Sequence, residues 1–343
     1  AMGFLDNDGQ GKQPVDVKVR VVIDNGDMLF DLSGSSPQST GCVNCGLPQT
    51  LSAARLAFKF LVLPHVEPNG GSFRSLDVRV PPGSIFAAQE PAACIYYFPH
   101  LGLMIDLVLK ALAPAMPEQV IAGQTADPMN VFLAGFHPVT GQRFMTGEST
   151  AMGWGAGARQ DGENAVVNLG GGDLKNMPIE VLESRYPIRM ARHLLRVDSG
   201  GPGRQRGGLG IVKEYVPLAE GMSVSLWFER AQMPAWGLFD GGSGAPPVII
   251  LNAGQPEERQ VWKVNHLKVR PGMSISARTG GGGGYGPPWE RPVEHVVDDV
   301  LDGYVSRMEA EQAYGLRFVY GPLEVDTVAT ASARARMAAL GLR

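Results

Sequence analysis

The side chains of this sequence that could do acid–base or anion-binding chemistry sit mostly in its loops. Asp161 and Glu163 lie in a long glycine-rich stretch, AMGWGAGARQDGENAVVNLGGGDLKNMP (151–178). Glu183 and Arg185 precede a Tyr-Pro step. Asp198, Arg204 and Arg206 flank a glycine turn, and Glu229 and Arg230 close an apolar run. A carboxylate in a cleft can take or give a proton, and a guanidinium can hold an oxyanion. An Arg beside a carboxylate is also the ordinary composition of a structural ion pair, so both readings stand side by side. Asp198, Arg206, Glu183, Asp161 and Glu163 are the catalytic candidates, because long polar loops are where sites concentrate.

Other chemistries fail on spacing. TGGGGGYGPP (279–288) contains G-x-G-x-x-G from Gly281, the pattern of a dinucleotide loop. Such a loop must lead into a helix whose first turn faces the pyrophosphate. Pro287 and Pro288 follow Gly286 directly and stand where that helix should begin. The run is expected to be a mobile or close-approach turn, or an interface loop. DSGGPG (198–203) is similar to the nucleophile loop of trypsin-like serine proteases. Val197 stands where that loop has Gly, and a tight turn is expected instead. Cys42 and Cys45 have C-x-x-C spacing, but zinc needs a second ligand pair and Cys94 is alone. A thioredoxin-type site would need a βαβ setting, which is not expected here. The six histidines show no H-x-H or H-x-x-x-H pair, and there is neither a P-loop nor a G-x-S-x-G elbow. No metal ligand set and no cofactor-binding motif is therefore expected in this chain.

The elements that must hold these loops are mainly strands. VDVKVRVVI alternates, DNGD supplies a turn and MLFDL returns, so 15–32 is expected to be a hairpin. Leu51, Ala54, Phe58 and Leu61 make a helical stripe that ends at Pro64. HLGLMIDLVLKALAPAMP is apolar almost all round, which predicts a deeply buried helix. From 187 onward short apolar runs alternate with turns. After Pro292 a helical stripe runs to a stop at Gly303. Ser306 and Glu309 then predict a capping box that opens a second helix, stopped by Gly315. The expected fold class is α+β: β-rich mixed sheets, a few buried helices and a C-terminal helical pair. The candidate internal division separates 1–178 from 179–343.

With 44% hydrophobic and 19% charged residues, the 343-residue chain can bury a large core. A net charge of -4 with both signs interspersed gives no reason to expect nucleic acid or an anionic membrane as partner. No run of about 18 apolar residues occurs. Three cysteines make a poor disulfide framework, so the cytoplasm is the expected location.

Seven blocks in order, FLDNDG, FDLSGSSPQSTGCVN, YFPHLGLMIDLVLKALA, ESRYPIRM, RVDSGGPGRQRGGLGIVKEY, MPAWGLFDGG and TGGGGGYGPPWERPVEHVVDDVLDGYVSRMEAEQAYG, resemble the hydantoinase B / 5-oxoprolinase family. That family includes the alpha-type subunits of acetone carboxylases. The resemblance covers nearly the whole chain but only the C-terminal portion of family members. It implies a hydantoinase A-type partner subunit that binds ATP and Mg, and a small-molecule substrate activated by phosphorylation. It also implies that a divalent metal (Zn, Mn or Fe) is held by His and Asp motifs in the N-terminal half of the hydantoinase B-type subunit, a part not matched here. The implied activity is ATP-dependent hydrolysis of cyclic amides in a complex, with this chain inactive alone. Ketone carboxylation, or a non-catalytic structural part of such an assembly, is the alternative.

Overall fold

Alternating valines build the first layer of the structure, a computed structural model that describes all residues except 12, 172–174, 320, 322, 342 and 343. Val15, Val17 and Val19 all point into the core. β1 (Met2–Leu5) pairs antiparallel with β2 (Val15–Lys18). After Val19, whose backbone still bonds Ala1, the chain leaves that partner, and β3 (Arg20–Asp24) turns back as β4 (Asp27–Asp31). Asn25 and Gly26, both at positive φ, supply the two-residue turn. The expected single hairpin over 15–32 is thus corrected to one over 20–31. A period-two pattern decides which face goes inward and is silent about which strand becomes the neighbour.

α1 (Leu47–Leu61) crosses over to β5 (Leu76–Arg79), which joins β4 in parallel. This is a βαβ unit with Cys42 and Cys45 just ahead of its helix, a setting not expected from the sequence. Ala54, Phe58 and Leu61 of the predicted stripe are buried, whereas Leu51 is only half-buried. α2 (Phe98–Leu112) packs beside α1 and buries twelve of its fifteen residues, as its all-round apolar sequence demands.

Two antiparallel sheets form the second half of the core. The four-stranded sheet runs β13 (Lys263–Val269), β10 (Met222–Trp227), β6 (Asn130–Phe136), β7 (Arg143–Glu148). The five-stranded sheet runs β12 (Arg259–Val261), β11 (Val248–Leu251), β14 (Ile275–Arg278), β9 (Ile211–Pro217), β8 (Ile188–Leu195). Leu133, Val224 and Leu226 of the first pack with Tyr215, Ile249 and Ile275 of the second. The 178/179 boundary runs through the four-stranded sheet, because β6 and β7 precede it and β10 and β13 follow. α3 (Ile179–Arg185) packs on β8.

The C-terminal pair is α4 (Val293–Leu301) and α5 (Arg307–Gln312), with Gly303 and Gly315 at positive φ after each. α6 (Thr327–Leu340) follows. Its large apolar residues Val328 and Leu340 are exposed, so it carried no amphipathic signal. Only half of the expected capping box forms. Ser306 Oγ accepts from Glu309 N at 3.1 Å, but the Ser306 N–H goes to Asp198 Oδ1 at 2.6 Å rather than to Glu309.

The layers meet where glycines let backbones touch. The run 279–286 is wholly buried among segments 153–157, 199–210 and 236–245. A Cβ on Gly281 would lie 1.7 Å from Ser199 O, on Gly282 1.8 Å from Trp154 O, and on Gly283 2.0 Å from Trp236 O. Facing glycines are equally confined: a Cβ on Gly153 would lie 1.8 Å from Gly208 O. Main-chain bonds lace the segments together, among them Gly201 N to Gly282 O at 2.8 Å and Ala156 N to Gly283 O at 2.9 Å. The close-approach reading of this run holds, and the mobile turn is corrected: a segment bonded on every side has no freedom to move.

Gly282→Ala is expected to destabilise the protein by about 3 kcal/mol or to prevent folding, because the clash is with backbone. Gly70→Ala, where a Cβ would meet nothing within 4 Å, should stay within about 0.5 kcal/mol of the parent. Chemical denaturation of the two variants checks this, and equal stabilities would refute it.

Candidate active site

The strongest concentration of displaced charge lies where β10 ends. After Trp227 the chain turns inward, with Arg230 at positive φ, and buries both Glu229 and Arg230. They do not pair with each other. Glu229 Oε1 takes Lys263 Nζ of β13, and Arg230 Nη1 lies 3.5 Å from Asp106 Oδ2 in the middle of α2. Glu229 Oε2 accepts from Asp6 N at 2.8 Å, and Glu229 N donates to Asp127 Oδ2 at 2.7 Å. Asp6, from FLDNDG, accepts from Ala231 N and Gln232 N at 2.9 and 3.1 Å. Thus Asp6, Asp127, Glu229 and Asp106 cluster around two buried cations, Lys263 and Arg230.

Burial sets the proton affinities. It pushes Glu229 up to about 8, with Lys263 opposing and Asp6 and Asp127 adding to the rise. It pushes Asp127 up to about 6 and Asp106 up to about 7, the latter against the pull of Arg230. Tyr96 Oη lies 2.9 Å from both Asp127 Oδ1 and the Trp227 carbonyl. A phenol has one proton, so an ionised Asp127 receives it. A protonated Asp127 donates instead, and the phenol turns to Trp227 O. Tyr96 and Asp127 thus share a hydrogen bond whose direction follows the protonation of Asp127, a geometry that can pass a proton.

Two openings reach it. A cavity of about 260 Å³ is lined by Asp6, Asn7, Phe228, Trp262 and Lys263. A wider cleft of about 690 Å³ is lined by Tyr96, Trp227, Phe132 and Asn265. Glu229 and Asp127 line neither, whereas their partners Lys263 and Tyr96 each line one. Lys263 also holds the loop at Asn7, donating to its carbonyl at 2.6 Å.

The loop candidates occupy a different region. Asp161 forms a bidentate pair with Arg291 at 2.7 and 2.7 Å and accepts from Arg206 N at 2.7 Å. Arg206 is buried, bonds Asp299 Oδ1 at 3.2 Å and stacks on Tyr304 at 5.2 Å. Asp299 also binds Arg291 at 2.8 Å. Asp161 and Arg206 are therefore brought together in a network that seats α4 on the glycine junction. Asp198, at φ 58, caps α5 from next door. Glu163 and Glu183 lie apart from it: the Glu163 side chain is exposed, and Glu183 Oε1 accepts from Met190 N at 2.8 Å. Ser199 Oγ is buried and accepts from Gly210 N, which places it in a turn rather than in a nucleophile site.

Asp6, Tyr96, Asp106, Asp127 and Lys263 were not singled out from the sequence. Asp106 did leave a signal, as the only carboxylate in an otherwise apolar helix. Despite its βαβ setting, the C-x-x-C thiols are poor redox groups, since burial pushes Cys45 up to about 11 and also raises Cys42. Nor does the glycine run fit a nucleotide. The amides of 281–286 all donate to carbonyls of neighbouring segments, leaving none to hold phosphate. Among the described residues no group of three or more His, Cys, Asp or Glu could hold a metal ion, so the residues present do not fit the metal implied by the resemblance. No helix among them is long and apolar enough to cross a membrane.

The fold is an α+β architecture that recurs within larger proteins of known structure. It aligns with an ATP-dependent caprolactamase from Pseudomonas jessenii at 27% identity and TM-score 0.81, covering 94% of this chain and 56% of the other. It also aligns with nucleotide-free acetone carboxylase at TM-score 0.82, covering 96% of this chain and 49% of the other; at 19% identity that likeness is one of fold. A family model described as hydantoinase B/oxoprolinase matches residues 1–288, and the chain belongs to that family. A protein of Pseudomonas sp. strain NS671, named as the B-type component of a D-/L-hydantoinase, is 31% identical over 92% of this chain. The match takes in 54% of that relative, so the chain spans about half its length.

Burial raises the proton affinity of Glu229 and Asp127 in the folded protein above that in the unfolded chain. The stability of the acid cluster is therefore fully present below the ordinary carboxylate range, near 4.5 for Glu229, and is lost as pH rises through about 8. Thermal melts from pH 5 to pH 8.5 should show a falling Tm that Glu229→Gln flattens; parallel profiles would refute the shift. Arg206→Ala, which strips Asp299 of one buried partner, should cost about 3 kcal/mol. It should also lower the activity of the assembled enzyme. Unchanged stability and activity would make Arg206 an ordinary turn residue.

Proposed function

We propose that this chain is the C-terminal part of a hydantoinase B-type subunit in an ATP-consuming complex that opens cyclic amides of the hydantoin, oxoproline or lactam type. It acts in the cytoplasm with a hydantoinase A-type subunit that holds ATP and Mg. The N-terminal half of the hydantoinase B-type subunit, outside the part matched here, carries the divalent metal. The observation that carries this reading is the 31% identity, across 92% of the chain, to the protein named as a D-/L-hydantoinase component. The 27% identity to a caprolactamase of the same fold supports it, because the names of both relatives specify ring amides. The acid cluster adds a chemical argument. A ring amide opens only if its nitrogen gains a proton as the C–N bond breaks, and groups titrating near 6 and 8 can pass one at neutral pH.

The test is to supply the assembled complex with ATP and hydantoin, 5-oxoproline or caprolactam, with and without bicarbonate. Ring opening coupled to ADP release, with no need for bicarbonate, is the expected result. ADP release that requires both bicarbonate and a ketone would instead identify a carboxylase. Full turnover with this chain left out would reduce it to a structural part.

A further inference from the structure

A second buried charge cluster bridges the two large sheets. Lys213 and Tyr215 project from β9, Glu148 ends β7, and all three side chains are buried. Tyr215 Oη donates to Glu148 Oε2 at 2.5 Å, and Lys213 Nζ donates to the same oxygen at 3.3 Å. Lys213 Nζ also donates to Asn176 Oδ1 at 3.0 Å. An ammonium cannot accept, so this bond fixes which end of the Asn176 amide is the oxygen. The cluster thereby commits one oxygen of Glu148 and the oxygen of Asn176. Glu148 Oε1 and Asn176 Nδ2 take no part in these three bonds. Both residues line a cavity of about 430 Å³, together with Gly147, Ser149, Lys175 and Met177. Gly147 and Ser149 also line the cleft beside Tyr96 and Trp227, so only β7 separates this cavity from the approach to the acid cluster.

Neighbouring acceptor and donor atoms of fixed identity on a pocket wall select for shape. An open-chain secondary amide is trans and presents its N–H and C=O on opposite edges. A small ring forces the amide cis, and both groups then face the same edge. We propose that this cavity is the recognition subsite for a small cyclic amide. The ring N–H donates to Glu148 Oε1, and the ring carbonyl accepts from Asn176 Nδ2. No bond is made or broken here; Glu148 and Asn176 are specificity residues, and Lys213 and Tyr215 are positioning residues that hold them. The assignment rests on the cyclic-amide reading of the function.

Calorimetric binding of 2-pyrrolidinone and its N-methyl derivative to the assembled enzyme tests it, in the parent protein and in Asn176→Asp. That variant keeps an acceptor for Lys213 but loses the amide donor, and Asn176 lies in a loop, so folding is spared. The parent should bind the N–H lactam at least about tenfold more tightly than the N-methyl form, and Asn176→Asp should weaken lactam binding by about tenfold at unchanged Tm. Glu148→Gln should erase the preference for the N–H form. Equal affinities for the two ligands, or unchanged binding in Asn176→Asp, overturns the assignment. Ring-amide turnover with an unaltered KM in Asn176→Asp rejects the subsite while the functional reading stands. Selective lactam binding without any ring-amide turnover keeps the subsite and rejects that reading.

Discussion

The backbone-to-backbone contact of the glycine junction is the constraint on which the rest of the structure depends. Segments 153–157, 199–210, 236–245 and 279–286 approach so closely that single methyl groups at Gly281 or Gly282 would sit under 2 Å from a carbonyl oxygen. Little side-chain burial stabilises such a junction. Its cohesion comes from satisfied amides and carbonyls, since a buried peptide group without a partner is costly. Glycine loses more conformational freedom on folding than any other residue. The junction is therefore affordable only because the flanking sheets and α2 bury large apolar clusters around it.

Charge is organised around that junction. On one side the Arg206–Asp299–Arg291–Asp161 network fastens α4, and two guanidiniums with two carboxylates leave no uncompensated charge in the dry interior. On the other side the balance is uneven: four carboxylates, Asp6, Asp106, Asp127 and Glu229, face the two cations Lys263 and Arg230, and burial raises the proton affinity of Asp127 and Glu229. The first arrangement is what a structural clamp requires. The second raises the proton affinity of buried carboxylates beside an opening, a condition for acid–base work. Their contrast separates clamp from site more firmly than residue type does, because both use the same side chains.

Much of the architecture was legible beforehand. The burial of α2, the stripe of α1, the strand-rich second half and the stops at Gly303 and Gly315 all follow from local pattern and backbone preference. The partner of β2, the crossover into β5 and the existence of α6 did not, since pairing is non-local and α6 lacks an apolar stripe. For the site, loop polarity drew attention to Asp161, Asp198 and Arg206, which the fold gathers at the α4–α5 clamp. Glu229 was noted only as a neighbour of Arg230, and Asp6, Tyr96, Asp127 and Lys263 escaped notice because their partners lie far away in the sequence.

By itself the sequence determined the family, the α+β class and the exclusion of a dinucleotide helix after Gly286, all properties of local order along the chain. Tertiary structure alone decided that the glycine run is a packed junction rather than a mobile turn. It also decided that Glu229 faces Lys263 and not its neighbour Arg230, and that Glu148 and Asn176 share a cavity wall. The reason is physical: proton affinity, close approach and ligand geometry depend on what lies within a few ångströms in space, and for these residues those neighbours come from distant parts of the chain.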